Sequence, residues 1–112
     1  MDDIGKNMEI DALVIHLKSF IKKHGISDDL PSRWHKLQLE VVELADAINS
    51  GDKSEIIKEA CDVAIVAIHI MLIAGAVNPC WNMFLKLKEV AAREKYKQIA
   101  AKIKKEEEDG KE

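Results

Sequence analysis

The sequence predicts an all-α bundle of about four helices, and three observations carry that prediction. Only five glycines and two prolines interrupt 112 residues, so turn signals are few. Apolar residues make up 47% of the chain but aromatic ones only 4%, a composition rich in Ala, Leu, Ile, Lys and Glu that favours helix over sheet. The apolar positions also recur at three- and four-residue steps, the period of a helix face. At this length one domain is expected, over residues 1–105, followed by a charged and disordered tail at 106–112.

The first helix is expected from Met8 to His24, on the stripe Ile10, Leu13, Val14, Leu17, Phe20 and Ile21. Gly25 stops it, with Lys22, Lys23 and His24 favourably placed at the carbonyl end. Residues 26–32, with two Asp and Pro31, read as a loop. The second helix is expected from Arg33 to Ile48, with Leu37, Val41, Leu44, Ala45 and Ile48 turned to a core. Lys36, Glu40, Glu43 and Ala47 share the face beside that stripe. Asn49-Ser-Gly-Asp52 breaks the chain, and Asp52-x-x-Glu55 reads as a capping box opening a third helix. On it Glu55, Glu59, Asp62, Val66 and His69 form one line, while apolar residues cover most of the remaining surface. A helix so apolar is expected to be buried, against a second subunit as well as its own chain. Gly75 and Asn78-Pro79 end it, and the last helix runs from Pro79 to about Lys105.

The chemistry lies in two acidic pairs, Glu40-x-x-Glu43 and Glu59-x-x-Asp62. The short 49–52 connection makes their helices antiparallel neighbours, so the pairs reach similar depths and four carboxylates can meet. Unpaired buried carboxylates are costly, and such a group normally holds a cation or takes up a proton. An all-oxygen donor set suits a hard divalent ion, Mg²⁺ or its substitute Mn²⁺. His69 continues the acidic line and reads as a core histidine with a satisfied partner. No His has a Glu three residues before it, which argues against a di-iron carboxylate bundle.

Other classes are disfavoured by composition. A net charge of −3 with interleaved Lys and Glu offers no basic surface for nucleic acid. Cys61 and Cys80 lack zinc spacing, and Cys61 is expected to be a reduced structural thiol on a mostly buried helix. The apolar run 63–77 is shorter than the roughly twenty residues of a membrane span and contains His69. With no visible signal peptide either, a cytoplasmic location and no membrane partner are expected.

The segment Leu37-Gln-Leu-Glu-Val-Val-Glu-Leu-Ala-Asp-Ala-Ile-Asn-Ser-Gly-Asp52, continued by Glu59-Ala-Cys-Asp-Val-Ala-Ile, resembles the MazG-like all-α nucleoside triphosphate pyrophosphohydrolases. These are relatives of dimeric dUTPases and phosphoribosyl-ATP pyrophosphatases, and the likeness covers roughly Arg33 to Tyr96. It implies Glu40, Glu43, Glu59 and Asp62 as metal ligands or water-orienting groups, with Glu40 or Glu43 as a candidate general base. It also implies Lys86 and Arg93 as phosphate ligands on the helix after the motif. Lys88 and Val90 stand where relatives often carry Asn and Lys, and Val66 stands where an Asn or aromatic residue is common. Trp34 and His35 at the entry to the second helix are candidates for stacking on a base. The implied activity is Mg²⁺-dependent cleavage of an NTP or dNTP to a nucleoside monophosphate and pyrophosphate by a homodimer or homotetramer. The alternatives are a narrow-specificity relative acting on dUTP, dCTP or phosphoribosyl-ATP, and a non-catalytic helical interaction module.

Overall fold

The computed structural model describes residues 2–110, and side chains from residue 12 onward. It contains four helices, and no strand among the described residues: α1 (Asp2–Lys23), α2 (Leu30–Ser50), α3 (Lys53–Ile73) and α4 (Pro79–Asp109). The all-α expectation therefore holds, with shifts at the helix ends that have local causes.

α1 starts at Asp2, six residues before the expected Met8, because residues 2–7 offer a single large apolar residue, Ile4, and so no stripe for periodicity to mark. Its end closes as a Schellman turn: Ile26 N–H donates to the Ile21 carbonyl at 3.0 Å, and Gly25 takes φ 59°. α2 starts at Leu30 rather than Arg33, so Pro31 belongs to a helix and not to the expected loop. Asp29 caps it by accepting from Ser32 N–H at 2.9 Å, and Pro31 sits in the first turn, where its missing N–H is no loss. At the other end α2 runs on to Ser50. Gly51, at φ 74°, donates to the carbonyls of Ala47 and Ile48, each at 3.2 Å, and stops it.

Asp52 then opens α3, accepting from Ser54 and Glu55 N–H at 3.0 and 3.3 Å, the forward half of the expected capping box. α4 continues to Asp109, so Glu106–Asp109 are helical rather than disordered. No Gly or Pro interrupts the chain between Pro79 and Gly110, and Gly110 N–H still bonds to the Glu106 carbonyl at 3.0 Å. Lys111 and Glu112 lie outside the described residues.

The chain divides into two compact units, Met1–Pro79 and Cys80–Glu112. In the first, α2 and α3 pack as an antiparallel hairpin around the two-residue link Gly51–Asp52. Its buried residues include Val14, Ala47 and Val66, together with the polar Glu40 and His69. Within one chain α3 does not reach the burial expected of it: Ile57 is 66% and Ile65 44% exposed. Cys61 is likewise a free, exposed thiol and not a buried one. It falls off the line of Glu59, Asp62, Val66 and His69. The second unit is helix α4, on which Trp81 and Phe84 stack at 5.5 Å and the Lys88 ammonium sits 5.2 Å from the Phe84 ring centre. Trp81 and Phe84 remain about half exposed in the single chain. No described helix is long and apolar enough to cross a membrane.

Candidate metal centre and adjoining cavity

The hairpin turn decides where the acidic pairs meet. With its centre between Gly51 and Asp52, Glu40 and Glu43 lie on average ten residues before it, and Glu59 and Asp62 nine after it. At 1.5 Å rise per residue the mismatch in depth is about 1.5 Å. The three-residue spacing within each pair keeps both members on the face toward the other helix. The outcome is a cluster in which one carboxylate oxygen from each of Glu40, Glu43, Glu59 and Asp62 lies within 4.8 Å of all the others.

The electrostatics of this cluster are only partly relieved. Glu40 is 5% exposed; its Oε1 pairs with Lys36 Nζ at 2.7 Å, while its Oε2 is buried with no hydrogen-bond partner. Glu59 Oε2 is buried and unpartnered as well. Removal from water pushes the Glu59 carboxyl pKa up, and the neighbouring charges of Glu43 and Asp62, a hydrogen bond with Glu43 and the charge of Glu40 add to the rise. Lys36 responds in the opposite sense: its hydrogen bond and attraction to Glu40 raise its pKa, more than burial lowers it. Opposite ligands on a Mg²⁺ ion at about 2.1 Å stand about 4.2 Å apart, so oxygens within 4.8 Å need only small side-chain adjustments to share one. Two orphaned buried oxygens and an all-carboxylate donor set fit such a cation.

Beside the cluster, a cavity of about 380 Å³ opens among α1, α2 and α3. Leu17, Phe20, Ile21, Ile26, Ile65 and Val66 form its apolar wall, and Arg33, Lys36, Glu40, Asp62 and His69 bring polar groups to it. His69 is 4% exposed, with Nε2 3.2 Å from Asp28 Oδ1, a core histidine with a partner as its position implied.

The other expected site residues are placed differently. Trp34 and His35 are exposed at the start of α2 and are not among the residues lining this cavity. Lys86 and Arg93 lie exposed on α4, where Lys86 Nζ pairs with Glu89 at 3.3 Å. Arg33 carried no functional expectation, yet it lines the cavity and its Nε is buried without a partner. The line Arg33, Lys36, Glu40, Glu43 was a usable signal for it, with steps of three, four and three. Compared with protein-family models, with curated proteins and with solved structures, the chain finds no match.

Proposed function

We propose that this chain is a MazG-like, Mg²⁺-dependent nucleoside triphosphate pyrophosphohydrolase, acting on an NTP or dNTP as a homodimer or homotetramer. The observation that carries the reading is the carboxylate cluster itself, with four side chains converging within 4.8 Å and two buried oxygens left without partners. Glu40, Glu43, Glu59 and Asp62 would hold the cation. When bound, it would neutralise charge on the phosphates and acidify water.

The chain's own residues do the rest. Water attacks the α-phosphorus, the bond from that phosphorus to the α,β-bridging oxygen breaks, and pyrophosphate leaves with the electron pair. Glu40, buried in the cluster, or Glu43, exposed at its edge, takes the proton lost by the attacking water. Lys86 and Arg93 are proposed phosphate ligands on the strength of the resemblance, with point charge and planar fork both suited to phosphate oxygens. The exposed apolar residues Val41, Val42 and Ile48 of α2 and Ile57 and Ile65 of α3 support assembly with further copies.

The test is pyrophosphate release from a panel of canonical and modified nucleotides, with and without Mg²⁺. Metal-dependent release is expected for at least one nucleotide, with Glu59→Gln reducing it by at least about a hundredfold. No release across the panel would end the enzyme reading, and metal binding without turnover would leave a binding module in its place.

A further inference from the structure

Arg33 and Lys36 raise a question that the metal centre does not answer. Two cations on one face of α2 lie one and two turns before Glu40 and line the same cavity as Glu40 and Asp62. Arg33 makes one short-range contact, Nη2 to Ser32 Oγ at 3.3 Å, and its Nε–H is buried without an acceptor. A buried guanidinium donor left unmatched is costly, and a planar fork of this kind is matched best by a carboxylate or phosphate. The nearby carboxylate of Glu40 is taken up by Lys36 on one oxygen and buried on the other.

One ligand class satisfies all these groups together: a polyphosphate chain that carries its own divalent cation. Its metal would face the four carboxylates, and its free oxygens would face the two cations. An anion without a metal would be repelled by the carboxylates, and a metal without an anion would leave Arg33 unmatched. The remainder of the cavity wall, Leu17, Phe20, Ile21, Ile26 and Ile65, is apolar and of a size that suits a ring system, the whole space falling in the range of small-molecule sites.

We infer that Arg33, assisted by Lys36, grips the phosphate chain of the substrate against the carboxylate cluster, while the apolar wall around Phe20 takes the nucleoside. This inference rests on the pyrophosphohydrolase reading and adds to it the direction in which the nucleotide lies: phosphates toward α2 and base toward α1. Lys36, 47% exposed on a flexible stem, can turn from Glu40 to phosphate without unpacking the hairpin.

Calorimetric titration of the full chain in Mg²⁺ tests it with two probes that are not turned over, inorganic tripolyphosphate and an NTP analogue with a methylene group between its α- and β-phosphorus atoms. Wild type is expected to bind both. Arg33→Gln is expected to weaken both by roughly ten- to a hundredfold, the range for a charged hydrogen bond. Phe20→Ala is expected to weaken only the nucleotide analogue. Mn²⁺ binding without nucleotide should stay at the wild-type level in Arg33→Gln, reporting an intact fold and cluster. If that variant loses Mn²⁺ as well, Arg33→Lys replaces it as the probe, expected to hold Mn²⁺ and to bind tripolyphosphate more weakly than wild type. Undiminished tripolyphosphate binding by the folded Arg33 variant would overturn the inference, as would a loss confined to Lys86→Gln or Arg93→Gln. In both cases pyrophosphate release would still stand. Wild type binding neither probe would remove this inference and the pyrophosphohydrolase reading together.

Discussion

Glu59 concentrates the cost of the site in one side chain. Its carboxyl holds a proton more tightly in the folded chain than the ordinary value of 4.5 allows, first because it is withdrawn from water and then because Glu43 and Asp62 stand beside it. The folded state therefore gains from proton uptake at this group. Its stabilising contribution is complete below pH 4.5 and is lost as pH rises through the elevated value. Metal-free wild type should lose melting temperature as pH is raised from about 4.5 to about 7, and Glu59→Gln should lose less. At neutral pH without metal, Glu59→Gln is expected to melt higher than wild type, and Mg²⁺ or Mn²⁺ should raise the wild-type melting point more than the variant's. Thermal melts over this pH range, with and without the ion, check all three outcomes. A wild type and variant that melt in parallel would show that Glu59 carries no strain.

The hairpin between α2 and α3 is the element that converts two unremarkable acidic spacings into a cluster. Its geometry depends on Gly51, whose φ of 74° lies where a side chain is strained, and on the Asp52 cap. No heavy atom lies within 4 Å of a Cβ added at Gly51, so Gly51→Ala is opposed by backbone conformation alone. The expected cost is about 1 kcal/mol. Asp52→Ala removes the acceptor for two N–H groups and should cost about 1 kcal/mol. Urea unfolding of both variants checks these values, and a loss of under a few tenths of a kcal/mol in each would mean that the turn does not hold the hairpin. The caps were legible in the sequence as Gly-Asp and Asp-x-x-Glu. The extra turns at the ends of α1, α2 and α4 were not, because apolar periodicity is silent where the sequence carries no repeating apolar positions.

For the whole molecule, the imbalance between apolar surface and interior is the leading fact. Val41, Val42, Ile48, Ile57 and Ile65 are exposed, and on α4 so are Trp81, Leu87, Tyr96 and Ile103. Large apolar side chains left exposed in such number on each of the two units are normally covered by another chain. Analytical ultracentrifugation at micromolar concentration is expected to give a dimer or tetramer; a stable monomer would contradict the proposed assembly. The same surplus leaves α3 short of the burial its composition calls for within one chain, the remainder being expected against a second subunit. An apolar run announces that a face must be hidden, but not whether the chain hides it from its own resources.

Helix type, the break at 49–52 and the convergence of Glu40, Glu43, Glu59 and Asp62 in one cluster were properties of the sequence by itself. Each follows from local rules: a period of 3.6 residues, a left-handed glycine, and two spacings of three reflected across a tight turn. Tertiary structure alone decided that Glu40 and Glu59 would each keep an unpartnered buried oxygen, that His69 would meet Asp28, and that Arg33 rather than Trp34 or His35 would line the cavity. These outcomes depend on which side chains lose their water when α1 packs beside the hairpin. Desolvation is a property of neighbours brought together across the fold, and no local spacing encodes it.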